Sequence, residues 1–263
     1  MNILITNDDG VYAPGLLALA QELRKLGAVS ILAPDHNWSA SGHVKTLNRP
    51  LRVKPVVLAD GTRALASDGA PSDCVALALM GVIESPIDVV VSGINPNANI
   101  GHDVTYSGTV TAAMEAAIGG VCGVAVSLDA PEYFNGLLDY STAAVAARVV
   151  TTKMLNLDLP KNILLNVNVP YLPLAELKGY RISRQGLRIY RDELVKREDP
   201  RGRPYYWIGG EAPTGVPETG TDFGDLQDGY VSITPIQLDL TAHDLLARLR
   251  GLDWSTDEIH GSV

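Results

Sequence analysis

Apolar and amphipathic stretches alternate through the first two thirds of the chain. In residues 14–26 leucines recur at the three- and four-residue spacing of one helix face, whereas residues 87–92 are a mostly β-branched run. The first pattern predicts an amphipathic helix, and the second predicts a strand buried on both faces. Similar patterns predict strands at 2–6, 29–33, 121–128 and 162–169, and helices at 73–83, 109–118 and 137–155. This alternation favours an α/β fold, in which helices cover both faces of a mostly parallel sheet.

The pattern changes near residue 180. Residues 181–203 hold eight Lys or Arg and four Asp or Glu, and their polarity partly alternates up to a turn at 199–203. These features predict a long basic hairpin over 180–208. We predict a loop at 209–229, a strand at 229–235 and a helix at 240–252. The chain therefore divides into a core at 1–179 and an extension at 180–263 that partly completes the core.

Composition narrows the function classes. The chain has 263 residues, of which 46% are hydrophobic and 19% charged, and this balance is typical of a folded globular protein. Its net charge of −9 argues against nucleic-acid polymers as partners, since their binding relies on basic surface. An anionic substrate would need a metal ion or aimed backbone N–H groups to offset the charge locally.

The terminus and the cysteines suggest a compartment. The N-terminus has no basic segment and reaches carboxylates at Asp8, so we do not expect a signal peptide. No apolar run approaches the roughly 18 residues of a membrane span. Cys74 and Cys122 lie in apolar runs and are expected to be buried free thiols, which fits a reducing compartment. We expect a cytoplasmic protein without a membrane partner.

The strongest local signal is the run Asn7-Asp8-Asp9-Gly10 directly after the first strand. Ligands of open α/β sheets bind beyond the carboxyl ends of the strands. Two adjacent carboxylates there repel each other unless a cation lies between them or one is protonated, and hard cations such as Mg²⁺ prefer oxygen ligands. The same residues could instead form a turn that caps the helix at 14–26, and the motif alone does not separate the two interpretations.

Three further polar segments follow predicted strands or open a helix. They are the loop with Ser39, Ser41, Gly42 and His43, the segment with Asn95 and Asn99, and Ser107-Gly108-Thr109 at the start of a helix. The first could be a plain polar loop, and Ser107 could be an ordinary N-cap. Asn95 follows its strand closely and is the natural metal ligand of the second segment. Free N–H groups at a helix start favour an anion.

Taken together these segments closely resemble the SurE (survival protein E) family of metal-dependent nucleotidases. The resemblance extends to the run 69–74, to Thr221-Asp222 and to the run 229–235, in the family's order. It implies a three-layer, Rossmann-like α/β fold with a C-terminal extended β-hairpin and arm used for oligomerisation. The chain departs from the usual family pattern at Pro96 and Ala70.

The resemblance also implies an activity and a site. It implies hydrolysis of nucleoside 5′-monophosphates, with looser activity on other phosphate esters and on short polyphosphate, by homodimers or homotetramers. It implies one divalent metal per subunit, held by Asp8, Asp9, Ser39 and Asn95. The oxygen ligands favour Mg²⁺ or Mn²⁺ over zinc.

The expected roles follow from the needs of phosphate ester hydrolysis. Asp8, Asp9 and Asn95 are the expected catalytic residues, and either aspartate could orient water or act as the base. The phosphate and substrate ligands are expected among Ser41, Gly42, His43, Asn99, Ser107, Gly108 and Thr109. His43 is the candidate acid for the leaving oxygen.

Two other interpretations remain open. Asp8 could be the nucleophile of a phosphatase that forms a phospho-aspartate, although the second aspartate would then normally come two residues later. The chain could also be a nucleotide- or metal-sensing module without turnover. Signatures of serine hydrolases, P-loop enzymes, zinc proteases and dinucleotide-binding domains are absent from the sequence.

Overall fold

The computed structural model describes residues 1–132, 134–157, 160, 162–252 and 254. Within them, nine strands form one sheet in the order β3-β4-β2-β1-β5-β6-β7-β11-β8. The strands of this sheet are β1 (Asn2–Thr6), β2 (Ala28–Pro34), β3 (Val53–Val57), β4 (Arg63–Ser67), β5 (Val89–Asn95), β6 (Cys122–Asp129), β7 (Ile163–Pro170), β8 (Tyr180–Ile182) and β11 (Val231–Gln237). The helices are α1 (Pro14–Leu23), α2 (Pro71–Leu77), α3 (Gly108–Ile118), α4 (Ser141–Leu155), α5 (Asp222–Gln227) and α6 (His243–Arg250).

The central strands are parallel and largely buried. β1 pairs in parallel with β2 on one side and with β5 on the other, and β5, β6 and β7 continue the parallel order. Because side chains alternate across a strand, Ile3 and Ile5 pack with α1 and α4 on one face, while Leu4 packs with α2 and α3 on the other. The predicted α/β fold, with helices on both faces of a mostly parallel sheet, is confirmed.

Each edge of the sheet contains an antiparallel pair of strands. At one edge, neither strand of the pair was predicted. β3 pairs antiparallel with β4, and neither strand was predicted from the sequence. Their segment is short and interrupted by Pro55, and three of the five residues of β3 are exposed, so the hydrophobic pattern there is weak. At the other edge β11 pairs antiparallel with β7 and parallel with β8, so residues beyond 179 extend the sheet.

The predicted hairpin exists, but its limits differ from the prediction. β9 (Arg188–Glu198) and β10 (Pro204–Gly215) form a separate antiparallel ribbon, while residues 180–182 belong to the main sheet as β8. The predicted loop at 209–229 was wrong over part of its length, because β10 runs to Gly215 and α5 begins at Asp222. Three glycines of that segment are paired in the ribbon: Gly209 lies opposite Glu193, Gly210 opposite Asp192 and Gly215 opposite Arg188.

Smaller differences concern helix ends and burial. α4 begins at Ser141 rather than 137, because Asp139 accepts a hydrogen bond from the Ser141 N–H at 2.8 Å and forms a turn there. Cys74 is buried, whereas Cys122 is only half-buried. The described residues contain no helix with the length and apolar character needed to cross a bilayer.

Candidate active site

Asp8 and Asn95 meet where the strand order of the sheet reverses. The chain leaves β1 towards β2 on one side, and β5 pairs with the opposite side of β1. The carboxyl ends of β1 and β5 therefore flank a crevice, which is the usual ligand position in open α/β sheets. Asp8 follows β1 directly and Asn95 ends β5.

A tight turn carries the two aspartates. The side-chain amide of Asn7 donates to the Gly10 carbonyl at 3.0 Å, and Gly10 has a φ of +102°, which glycine adopts without strain. The N-cap of α1 is Ala13, and no side chain caps that helix. The interpretation of the aspartates as a cap for this helix is therefore wrong, and their carboxylates remain for other contacts.

The start of α3 holds the Asp8 carboxylate. The Thr109 hydroxyl donates to Asp8 Oδ1 at 2.6 Å, and the Thr109 N–H donates to Asp8 Oδ2 at 3.2 Å. Gly108 allows this approach, since a Cβ at that position would lie 2.7 Å from the Asp8 Cβ. The positive end of the helix thus stabilises a buried carboxylate.

The two aspartates repel each other electrostatically. Burial raises the pKa of Asp9 to about 7, and the neighbouring charge of Asp8 adds to this effect. Burial also raises the pKa of Asp8, while the hydrogen bonds from Thr109 oppose the rise. A cation between the carboxylates would relieve the repulsion.

Asn95 and the Ser39 loop supply neutral oxygens beside these carboxylates. The Asn95 side-chain nitrogen donates to the Asn97 carbonyl, which leaves its Oδ1 as the atom that could bind a metal. The Trp38 N–H donates to the Asp8 carbonyl at 2.7 Å and so ties the loop to the aspartate turn immediately before Ser39. Asp8, Ser39 and Asn95 line one cleft of about 180 Å³.

Two of the predicted phosphate ligands line the same cleft. Ser107 caps α3 by accepting a hydrogen bond from the Val110 N–H at 3.1 Å, so its hydroxyl hydrogen remains for an anion. The Asn99 amide donates one N–H to Ser127 at 2.8 Å and has a second N–H to offer. Two larger hollows, of about 310 and 480 Å³, lie beside the start of α4 and contain none of the predicted ligands.

The other predicted phosphate ligands do not line this cleft. The Thr109 hydroxyl and N–H donate to Asp8, and Gly108 packs against the Asp8 side chain; contact of these two residues with phosphate stays a prediction. The His43 ring contacts Glu115 on α3 at 3.0 Å, so the geometry does not support His43 as the acid. The Gly42 N–H donates to the Tyr106 carbonyl at 2.9 Å. Ser41 Oγ is buried and has no hydrogen-bond partner among the described residues.

The sequence analysis missed a carboxylate and its partners. Asp103 lines the cleft, where the Tyr190 hydroxyl donates to its Oδ1 at 2.5 Å and Arg188 Nε lies 2.9 Å from its Oδ2. Asp222 accepts from the Gly101 N–H at 2.8 Å and from the Gly186 N–H at 2.7 Å. No local pattern could reveal these contacts, since their partners lie 36 to 121 positions apart in the chain.

The donor set fits a hard divalent cation. In the described part of the chain, no three His, Cys, Asp or Glu residues converge into a metal site. The candidate set instead combines the Asp8 carboxylate, the Ser39 hydroxyl and the Asn95 amide oxygen, which line the cleft, with the neighbouring Asp9, which is not among the lining residues. Ligand sets made of oxygen alone suit Mg²⁺ or Mn²⁺.

Comparisons with known proteins identify the family of the chain. Residues 3–192 match the family described as Survival protein SurE. The chain is 54% identical to the 5′-nucleotidase SurE of Herpetosiphon aurantiacus, over 97% of this chain and 99% of that one. It is 50% identical to the 5′-nucleotidase SurE of Chloroflexus aggregans, over 97% and 100% of the two chains.

A solved structure supports the same conclusion. The crystal structure of SurE protein from Aquifex aeolicus superposes with a TM-score of 0.79 at 38% identity, and the match covers 95% of this chain and 98% of that one. The family match, the two relatives and this fold all point to one assignment. The chain belongs to the SurE family.

Proposed function

We propose that this protein is a 5′-nucleotidase, which hydrolyses nucleoside 5′-monophosphates to nucleoside and phosphate. Relatives that are up to 54% identical over nearly the whole chain carry this name. The observation that carries the proposal is the cleft between β1 and β5, where Asp8, Ser39 and Asn95 face Ser107 at the start of α3. The cleft thus combines oxygen ligands for a hard metal ion with a hydrogen-bond donor for an anion.

The proposed metal site uses one Mg²⁺ or Mn²⁺ per subunit, held by Asp8, Asp9, Ser39 and Asn95. When bound, such a cation supplies positive charge to offset that of the phosphate and makes water more acidic. Thr109 fixes the orientation of the Asp8 carboxylate through two hydrogen bonds. Asn95 presents its oxygen because its nitrogen is held by Asn97.

The remaining roles concern the phosphate and the attacking water. The Ser107 hydroxyl and the second N–H of the Asn99 amide donate to phosphate oxygens in the cleft. Asp9 is the better candidate for the base, because hydrogen bonds from Thr109 hold both oxygens of Asp8.

Activity measurements test this function directly. The protein is assayed for phosphate release from a panel of nucleoside monophosphates with Mg²⁺ or Mn²⁺, and with EDTA as the control. We expect release that EDTA abolishes and added metal restores, and we expect Asp8→Ala and Asn95→Ala to lose it. Metal-dependent release at the wild-type rate by either variant would contradict the proposed site.

This assay and a trapping experiment separate the competing functions. A module that binds nucleotides without turnover would release no phosphate. A phosphatase that forms a phospho-aspartate on Asp8 would be trapped by beryllium fluoride or aluminium fluoride. Against that route, the Asp8 oxygens accept hydrogen bonds from Thr109, which lowers their nucleophilicity.

Three further proposals rest on the sequence and on the family. We propose that other phosphate esters and short polyphosphate are secondary substrates, and that the protein works in the cytoplasm. We also propose that it forms homodimers or homotetramers through the β9–β10 ribbon and the C-terminal arm. Under this division, residues 1–179 are the catalytic core and residues 180–263 the assembling extension.

A further inference from the structure

The cleft is smaller than the proposed substrate. Its volume of about 180 Å³ contrasts with the roughly 300–1,000 Å³ of pockets that enclose whole ligands. Three proposed metal ligands and two proposed phosphate donors line it (Asp8, Ser39, Asn95, Asn99 and Ser107), so the phosphate group belongs there. The nucleoside must therefore extend across the rim.

One aromatic side chain lies on that rim. Among the described residues that line the cleft, Tyr106 is the aromatic one, and it is 61% exposed. It directly precedes Ser107, the proposed phosphate donor, and both residues line the cleft. An exposed aromatic ring next to a phosphate site can stack with a planar group of the ligand whose phosphate is bound there.

The backbone and the neighbours of Tyr106 are held firmly. Its N–H donates to the Asp103 carbonyl at 3.0 Å, and its carbonyl accepts from the Gly42 N–H at 2.9 Å. Asp103 is in turn held by the Tyr190 hydroxyl at 2.5 Å and by Arg188 at 2.9 Å. The Arg188 and Asp103 side chains are only 15% and 17% exposed, so this ion pair is well shielded from solvent. A rim that is already ordered loses little entropy when a ligand binds.

We propose that the Tyr106 ring is the platform on which the nucleobase of the substrate stacks. The inference rests on the proposed nucleotidase function and names the part of the substrate that this residue recognises. Stacking on an aromatic side chain accepts purines and pyrimidines alike, because every base has a π-face. The site therefore selects phosphate esters that carry an aromatic heterocycle over esters that carry a sugar alone.

The experiment compares two substrates that share the same scissile ester. Values of kcat/KM are measured for AMP and for ribose 5-phosphate, which lacks the base, in the wild type, Tyr106→Ala and Tyr106→Trp. We expect Tyr106→Ala to lower the preference for AMP about tenfold, through KM rather than kcat, which corresponds to roughly 1.4 kcal/mol. Tyr106→Trp should restore the preference. Tyr12→Ala serves as the matched control, since Tyr12 is 65% exposed and lies outside the cleft lining.

The outcomes separate this inference from the proposed function. If Tyr106→Ala lowers kcat/KM equally for both substrates, so that the preference for AMP does not change, the proposed stacking on Tyr106 is wrong. If the wild type releases no phosphate from either substrate, the nucleotidase function fails. The platform is then tested by calorimetric titration with the 5′-phosphonate analogues of the two substrates. A ratio of dissociation constants that is the same in the wild type and Tyr106→Ala would overturn it there as well.

Discussion

At the scale of single residues, the contact between Thr109 and Asp8 supports the proposed metal site. Partners that orient a metal ligand typically contribute 10- to 100-fold to metal affinity. Thr109→Val removes the hydroxyl that donates to Asp8 at 2.6 Å and keeps the shape of the side chain. We expect the Mn²⁺ concentration for half-maximal phosphate release to rise about 10- to 100-fold.

Thr109→Ser is the matched variant for this prediction, because it retains the hydroxyl. Its half-activating Mn²⁺ concentration should stay within a few-fold of the wild-type value, and both variants should unfold at similar urea concentrations. A valine variant that needs no more Mn²⁺ than the wild type would show that Thr109 does not position a metal ligand.

The sequence identified both of these residues but not their relation. Asp8 and Thr109 stand out because each lies in a polar motif at a strand end or helix start, and strand ends converge in an α/β sheet. The 101 positions between them hide the hydrogen bonds, so the sequence assigned Thr109 to the phosphate instead of to Asp8. The helix N-terminus attracts an anion as expected, but that anion is a side chain of the protein.

At the scale of elements, α3 is tied to the loop that carries Ser39 through Glu115. The His43 ring and the Lys45 ammonium contact the two Glu115 oxygens at 3.0 and 2.9 Å. The hydrogen bond from His43 contributes most to lowering the pKa of Glu115 below its ordinary value of 4.5, and Lys45 adds to the effect against partial burial. A carboxyl whose pKa is lower in the folded state stabilises the fold above its unfolded pKa, and that contribution is lost as pH falls through the folded value.

We therefore expect Glu115→Gln to lower the free energy of unfolding by about 1–3 kcal/mol at pH 7. The difference from the wild type should shrink as pH falls below 4.5, since the unfolded wild type takes up a proton there and the folded carboxyl follows at a lower pH. Urea unfolding of both proteins across this range measures it, with the exposed Glu84→Gln as the control. A difference that is constant with pH would contradict the electrostatic origin.

A second link between elements is Asp222 at the start of α5. It is completely buried and accepts from the N–H groups of Gly101, Gly186 and Phe223 at 2.7 to 2.9 Å. We expect Asp222→Ala to cost about 2–5 kcal/mol in urea unfolding, because buried N–H groups lose their acceptor. Asp228→Ala, whose carboxylate is 52% exposed, should change stability little. Equal effects of the two variants would contradict this role.

At the scale of the whole molecule, the sequence predicted the layers of the fold better than its edges. The central strands are strongly apolar runs and were placed within a few residues, since burial on both faces leaves a clear pattern. β3 was missed because it is half-exposed and interrupted by Pro55. The second half of the hairpin was cut short, because the glycines of β10 resemble a loop and their pairing with β9 depends on a distant partner. The limits of edge strands depend on such long-range pairing more than on the local hydrophobic pattern.

The β9–β10 ribbon leads to the last prediction. Its strands pair with each other and not with the main sheet, and it exposes Leu194 by 73%, Trp207 by 65% and Ile208 by 84%. A two-stranded ribbon is at best marginally stable alone in water, and exposed apolar patches of this kind mark contact surfaces. The described part of the chain leaves these side chains uncovered, so a second subunit is the partner that we expect.

Removal of residues 193–209, with an Asn-Gly turn joining Asp192 to Gly210, tests the assembly. These two residues already pair across the ribbon, and the shortened hairpin retains the contacts of Arg188 and Tyr190 with Asp103. In sedimentation we expect the shortened protein to shift towards monomer. Its affinity for Mn²⁺ should stay close to that of the full chain, because no proposed metal ligand lies in the ribbon. Arg201→Ser at the exposed turn is the control and should sediment as the full chain does. If the shortened protein sediments as the full chain does, the ribbon does not hold the subunits together.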